Sequence, residues 1–344
     1  MLNQWPMREK VPAPAGSLGA GADDWACVSG VQQPMTTMVR AGGKHFMGAI
    51  VRTFRGPTAR AAWATLCAWL VFGALTTLAG CAWLDTKQRE LVFRPTPGRP
   101  ADFQGLRPGD AAFDVAVPGE AAGSTDRLHL WWLPNADANA PALLYLHGTF
   151  RNLYQNFRKV EALRSAGFAV LAVEYRGWGE SSAIVPSEAT IYADANVAWA
   201  ELVRRQGDPR KRVIFGHSMG GGVAVELASH KHAGSDYAAL ILESTFTRLP
   251  DIAKSTGVLG TIASWFATQQ FDSAGKIAKI DAPILMMHGT ADKTVPIVLG
   301  RRLFEAAPKG TRWVEFPGGS HSGLDREDPE AYGQAVSNLI AQLK

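Results

Sequence analysis

Ser218, followed downstream by Asp292 and then His321, is the residue of this chain best placed by type and spacing to do nucleophilic chemistry. It is the centre of Gly216-His217-Ser218-Met219-Gly220, entered from the apolar stretch Val213-Ile214-Phe215 and left through Gly220-Gly221-Gly222. A serine at a sharp strand-to-helix turn presents its hydroxyl at the sheet edge, and flanking glycines relieve the crowding of that turn. The string alone is cheap, since about 0.2 copies are expected by chance in such a chain. A serine hydroxyl at its ordinary pKa also needs an adjacent base. Of eight histidines, only His321 follows every candidate acid, in the loop Gly318-Gly319-Ser320-His321-Ser322. His147, His217 and His288 sit at or beside expected strand ends; His217 is the variable residue of the pentapeptide, and the other two read as supports of turns. The acid must orient the imidazole and stabilise the imidazolium formed when it takes the serine proton. Asp292 and Glu243, each just beyond or at the end of an apolar run, compete for that role, whereas Asp272 and Asp281 suit helix starts.

The elements that must position these groups are short apolar runs alternating with longer helical patterns, which is how a parallel sheet built of βαβ units is written. Strands are expected at 91–94, 112–117, 128–133, 142–147, 169–174, 212–216, 239–242, 284–288 and 312–316. Helices are expected at 154–166, 187–206, 219–229, 297–305 and 330–342, with breakers such as Gly167, Gly207 and Pro209 at their ends. No internal repeat or second domain is visible.

With those elements in place, VIFGHSMGGGVAVELA resembles the nucleophile elbow and following helix of the α/β-hydrolase superfamily. The resemblance implies a mostly parallel central sheet flanked by helices on both faces, with His321 as base and Asp292 as acid; Glu243 is the alternative because some relatives carry the acid there. It implies an oxyanion hole from the amides of Met219 and Thr149, because Leu144-Tyr145-Leu146-His147-Gly148-Thr149 resembles the H-G-x loop. Many relatives have asparagine at the Thr149 position, a departure that leaves a main-chain donor intact. Glu174-Tyr175-Arg176-Gly177-Trp178-Gly179-Glu180-Ser181 is similar to a turn of the lipase, thioesterase and aminopeptidase-like branches, and 88–96 resembles the start of membrane-associated members. The superfamily commonly inserts a cap after its sixth core strand, so 244–281 is expected to form a minimal one. Its apolar residues Ile252, Leu259, Ile262, Trp265, Phe266 and Phe271 either line an acyl pocket or cover the core. Acyl transfer needs no cofactor, and no metal-ligand spacing or phosphate loop is present.

The net charge of +4 invites a reading of acidic partners, but residues beyond Cys81 carry 28 basic and 28 acidic side chains. The excess belongs to the leader, and no basic stripe remains to support nucleic-acid binding. That leader holds an uncharged run, Ala61 to Leu84, behind Arg52, Arg55 and Arg60, the pattern of an export or anchor signal. Its length suffices to span a bilayer. Leu78-Ala79-Gly80-Cys81 resembles the lipobox of bacterial lipoproteins, which implies cleavage before Cys81, acyl chains such as palmitate on that cysteine, and a lipid-anchored place in the envelope. Ala82 is not the aspartate associated with inner-membrane retention, so the outer membrane is the implied destination; an uncleaved inner-membrane signal anchor is the other reading. Residues 1–46 are rich in Gly, Ala and Pro, and translation is expected to start at Met47. Cys27 and Cys67 precede the cleavage site, so no disulfide or cysteine metal site is expected in the mature chain.

Taken together, 1–81 is expected to be an extension with a signal peptide and 82–344 a single hydrolase domain with its cap. The expected activity is cleavage of carboxylic or thio-ester bonds in a small-molecule ester or acylated substrate through a Ser218 acyl-enzyme. The same triad serves amide bonds, so a peptidase or amidase is the alternative, and a non-catalytic envelope binding protein is the reading from another class.

Overall fold

A computed structural model describes residues 57–121 and 123–343. The expected start at Met47, the segment 1–46, Cys27, Arg52 and Arg55 lie outside the described residues. The chain divides into two compact units between Phe72 and Gly73. That division falls inside the first helix, α1 (Pro57–Phe93), which also runs through the expected boundary at Cys81. The strand expected at 91–94 is therefore the end of a helix. Leu91-Val92-Phe93 has strand composition, but it continues a helical run, and Phe93 is wholly buried edge-on against Trp178 and Phe271. Tertiary packing of one aromatic ring overrides the local β preference.

From Gly73 onward the fold is built on one eight-stranded sheet: β1 (Ala111–Pro118), β2 (Thr125–Leu133), β3 (Ala142–Leu146), β4 (Ala169–Glu174), β5 (Arg212–His217), β6 (Ala239–Glu243), β7 (Ile284–Gly289) and β8 (Arg312–Phe316). Their order is β1-β2-β4-β3-β5-β6-β7-β8. β2 pairs antiparallel with both neighbours, and every other pairing is parallel. Strands buried on both faces read as continuous apolar runs rather than alternating ones. That is the pattern of β3 (ALLYL), β6 (ALILE) and β7 (ILMMHG), all of whose residues are buried.

Side chains that alternate along these strands feed two separate cores. Leu144, Ile214, Leu240 and Met286 face a layer containing α3 (Glu188–Arg205), α4 (Met219–Ser229) and α7 (Ile297–Ala306). Leu143, Val213, Phe215 and Ile241 face α2 (Leu153–Ser165) and α9 (Pro329–Gln342). Reciprocal capping boxes start α2 (Asn152 with Gln155) and α3 (Ser187 with Thr190), satisfying amides that would otherwise lack acceptors. The segment after β6 holds two short helices, α5 (Leu249–Ser255) and α6 (Val258–Trp265). α8 (Leu324–Glu327) is a further single turn beyond β8.

Candidate active site

β5 ends at His217 and α4 begins at Met219, so Ser218 alone carries the reversal between them. Its backbone sits at φ 56° and ψ −121°, a conformation that costs a non-glycine residue on the order of 1–3 kcal/mol. The surroundings hold it there: the Ser218 amide donates to the Glu243 carbonyl at 2.9 Å, and its own carbonyl accepts from Thr245 Oγ1 at 2.9 Å. A Cβ on Gly216 would collide with the Gly220 carbonyl, and one on Gly220 with the Leu146 carbonyl. The two glycines of the pentapeptide are thus demanded by close approach of backbone to backbone.

The carboxyl ends of the parallel strands bring the remaining groups to this turn. His321, in the loop after β8, places Nε2 2.9 Å from Ser218 Oγ and Nδ1 2.7 Å from Asp292 Oδ2. Asp292, in the turn after β7, has Oδ1 taken by the amides of Thr294 and Val295, each at 2.8 Å. With that oxygen fixed, Oδ2 faces the imidazole, and the tautomer protonated on Nδ1 leaves Nε2 free to accept from the serine. Burial would raise the Asp292 pKa, but hydrogen bonds from His288 and His321, the His321 charge and the Val295 amide outweigh it and hold the carboxyl well below the usual carboxylate range. His288 Nε2 lies 2.9 Å from the Val295 carbonyl and 3.3 Å from Asp292 Oδ2, so it braces the acid turn from behind.

Thr149, in the loop after β3, and Met219, the first residue of α4, flank Ser218, and no protein acceptor among the described residues takes either amide. Gly148 lies so close that a Cβ there would stand 2.9 Å from Ser218 Cβ. Ser218 opens into a cavity of about 680 Å3 lined by Thr149, Arg151, His217, Lys293, His321 and Arg326, among others. Among the described residues no carboxylate lines it. Among the described residues Arg151 and Lys293 form no ion pair, while Arg326 reaches Glu327 only at 3.5 Å.

An acyl carbon held against Ser218 Oγ would meet a nucleophile, a base in contact with it and a buried carboxylate behind the base. A profile described as serine aminopeptidase, S33, matches residues 138–271, from ahead of β3 through α6. An uncharacterized protein of Mycobacterium tuberculosis is 30% identical over 276 residues, covering 78% of this chain and 92% of that protein. Among solved structures, an α/β hydrolase from Vibrio vulnificus aligns with a TM-score of 0.54 at 24% identity, covering 66% of this chain and 80% of that one. The chain belongs to the α/β-hydrolase superfamily. An esterase from Pyrococcus furiosus shares the fold at a TM-score of 0.56 and 16% identity, covering 72% of the hydrolase and 98% of that chain. A lysophosphatidylserine lipase of Danio rerio is 32% identical over 192 residues, with 52% of the hydrolase matching 50% of that lipase.

The second candidate acid of the hydrolase is engaged elsewhere. Glu243 is fully buried, its Oε1 2.5 Å from Lys159 Nζ and its Oε2 accepting from Tyr332 at 3.0 Å. Lys159 also reaches Asp325 at 2.6 Å, in α8 just past His321, so one buried ammonium joins α2, β6 and the base loop. Behind Thr149, the wholly buried His147 and Glu174 approach to 3.2 Å, and Glu174 Oε2 accepts the Leu153 amide at 2.9 Å. His217 lines the same cavity as Ser218, with Nε2 donating to the His321 carbonyl at 2.9 Å. Burial, then the nearby His321 and Lys159 charges, push its pKa well below the ordinary imidazole value.

Sequence reasoning missed Lys159, Asp325 and the cationic rim. Lys293 adjoins Asp292 and Arg151 stands two residues past Thr149, so adjacency was a usable signal for those two; nothing local announces Lys159. The α6 residues match neither expectation for them. No residue of 244–281 lines the cavity, and Leu259, Ile262, Trp265 and Phe266 are 84%, 43%, 72% and 65% exposed. Phe271 alone of the six is fully buried, while Ile252 packs on the core from a half-buried position.

Proposed function

We propose that this hydrolase is a membrane-anchored serine hydrolase that cleaves carboxylic or thio-ester bonds through an acyl-enzyme on Ser218. The observation that carries the reading is the unbroken chain from Ser218 through His321 to Asp292, at 2.9 and 2.7 Å. Ser218 Oγ attacks the acyl carbon as its proton passes to His321 Nε2, and the amides of Met219 and Thr149 receive the oxyanion. Collapse expels an alcohol or thiol, which takes the proton from His321. Water then attacks the ester with His321 as base, releasing the acid and restoring the serine.

The lining of the cavity supports an anionic substrate. Arg151, Lys293 and Arg326 line it, and among the described residues only Arg326 has a carboxylate partner, Glu327 at 3.5 Å, which suits an ester beside a phosphate or carboxylate, as in a lysophospholipid. The name of the Danio rerio relative points the same way. The description of the matching profile favours an aminopeptidase as second reading. A peptide with a free α-amino group would bring a cation into a cavity that offers three cations and no acid, which weighs against it.

Anchoring rests on α1, the one helix among the described residues long and apolar enough to cross a membrane. We read Cys81 as its lipidated residue, exposed and free of any disulfide, in a bacterial envelope; a spanning α1 is the alternative. N-terminal mass spectrometry of native protein separates these two. For the activity, the full chain in detergent should label with a fluorophosphonate and hydrolyse p-nitrophenyl esters in preference to aminoacyl anilides. Folded protein that takes no label would refute the nucleophile, and a preference for anilides would favour the peptidase.

A further inference from the structure

α6 is amphipathic in the inverted sense. At 100° per residue, Val258, Leu259, Ile262, Trp265 and Phe266 fall within an arc of about 120°. A surface helix ordinarily turns such a stripe to the core, yet here Val258 is 77% exposed and Leu259 84%. The small residues occupy the opposite side. Gly260 packs so closely on α5 that a Cβ would collide with the Ala253 carbonyl, and Ser264 is buried. Of the 17 large apolar side chains left exposed among the described residues, only Phe150 and Val298 lie outside α1 and the stripe of α6.

Those two helices are joined where the apolar run of α1 stops. Asp85 is the first charged residue after Arg60. Asp85 Oδ1 accepts from Thr268 Oγ1 at 2.7 Å, and Gln88 donates to the Phe266 carbonyl at 3.0 Å while accepting the Thr268 amide at 2.8 Å. At 1.5 Å per residue, Gln88 stands about 10 Å along the helix from Cys81, whether Cys81 carries lipid or α1 spans the bilayer. The end of α6 is therefore pinned at the level where chain passes from hydrocarbon to water. Trp83 and Trp265, both more than half exposed, are of the residue type that settles at that level.

We propose that the exposed stripe of α6 is a second membrane contact, seated in the lipid interface beside the anchor and fixing the orientation of the hydrolase on the bilayer. The occupant of this surface is lipid. The proposal rests on the anchored reading above but not on any catalytic one. A tether alone would leave the domain free to tumble; a second contact pinned to the tether removes that freedom.

The test uses the full chain, reconstituted into phosphatidylcholine–phosphatidylglycerol vesicles, with an environment-sensitive fluorescent amino acid in place of Leu259, whose high exposure tolerates the change. The same residue in place of exposed Lys309, in the turn before β8, is the control. The expected result is a blue-shifted emission at 259, quenched by lipids brominated on their acyl chains, and a water-like emission at 309. A water-like emission at 259 in vesicle-bound protein overturns the docking while leaving the anchor in place. A blue shift at 259 that brominated lipid does not quench, and that disappears on dilution of protein in lipid, means a second copy covers the stripe and also overturns it. A chain that washes off the vesicles overturns anchor and docking together. Since none of these readings requires turnover, loss of esterase activity would be distinguishable from each.

Discussion

Lys159 Nζ lies 2.5 Å from Glu243 Oε1 although 84 residues separate them, and both side chains are buried. The contact withdraws Glu243 from the competition to be the acid, because its other oxygen is taken by Tyr332 and no histidine among the described residues reaches it. It also predicts a stability asymmetry. Lys159→Met leaves Glu243 and Asp325 without their cation and should cost about 3–5 kcal/mol, read as a lower urea midpoint at unchanged slope. Lys159→Met combined with Glu243→Leu and Asp325→Asn should recover most of that loss. Equal stability of Lys159→Met and the parent would show that the pair contributes little.

The division of roles between the two acids is testable directly. Asp292→Asn should lower kcat by about 10⁴, since the amide no longer selects the Nδ1-protonated tautomer or stabilises the imidazolium. Glu243→Gln should leave kcat within severalfold while lowering the unfolding temperature. Steady-state kinetics on one soluble ester decides this: an equal loss of kcat in both variants would contradict the geometry of His321 and Asp292.

Burial explains which parts of this arrangement the amino-acid sequence announced. β3, β6 and β7 are covered on both faces, so unbroken apolar runs such as ALILE and ILMMHG could only be central strands. Ser218 and Asp292 stand just past such strands, β5 and β7, and His321 past the half-buried β8, where position along the chain predicts position in space. Leu91-Val92-Phe93 misled because three residues of strand type carry no sign that a helix precedes them. The stripe of α6 misled differently: helical spacing reveals that a face exists, not whether protein or lipid covers it. Lys159 was invisible because its partners come from β6 and α8, and only the assembled fold joins them.

The unpaired cations of the cavity should separate substrates by charge. Lys293→Gln and Arg151→Gln, singly, should raise KM for a lysophospholipid by about tenfold, the scale of one charge-assisted hydrogen bond, with little change in kcat. A neutral monoacylglycerol should respond to neither substitution. Steady-state kinetics in mixed micelles at two salt concentrations checks both parts, since the anionic preference must also weaken as salt screens it. A parallel rise of KM for both substrates would mean that these side chains shape the cavity rather than read charge.

His217 should leave a signature in the pH dependence of stability. Its folded pKa is depressed by burial and by the His321 and Lys159 charges, so below about 6.5 the unfolded chain binds a proton that the folded chain refuses. The contribution is fully present above that pH and is lost as the pH falls, by up to about 1.36 kcal/mol per unit. Asp292 has the same sign, but its window opens only below about 3.9, where an unfolded aspartate begins to protonate. Between pH 7 and 5 the two effects do not overlap. His217→Gln retains a donor toward the His321 carbonyl and removes the titration. Its urea midpoint should therefore decline less over that interval than the parent's does. Curves that fall in parallel for parent and variant would assign the acid sensitivity to another group.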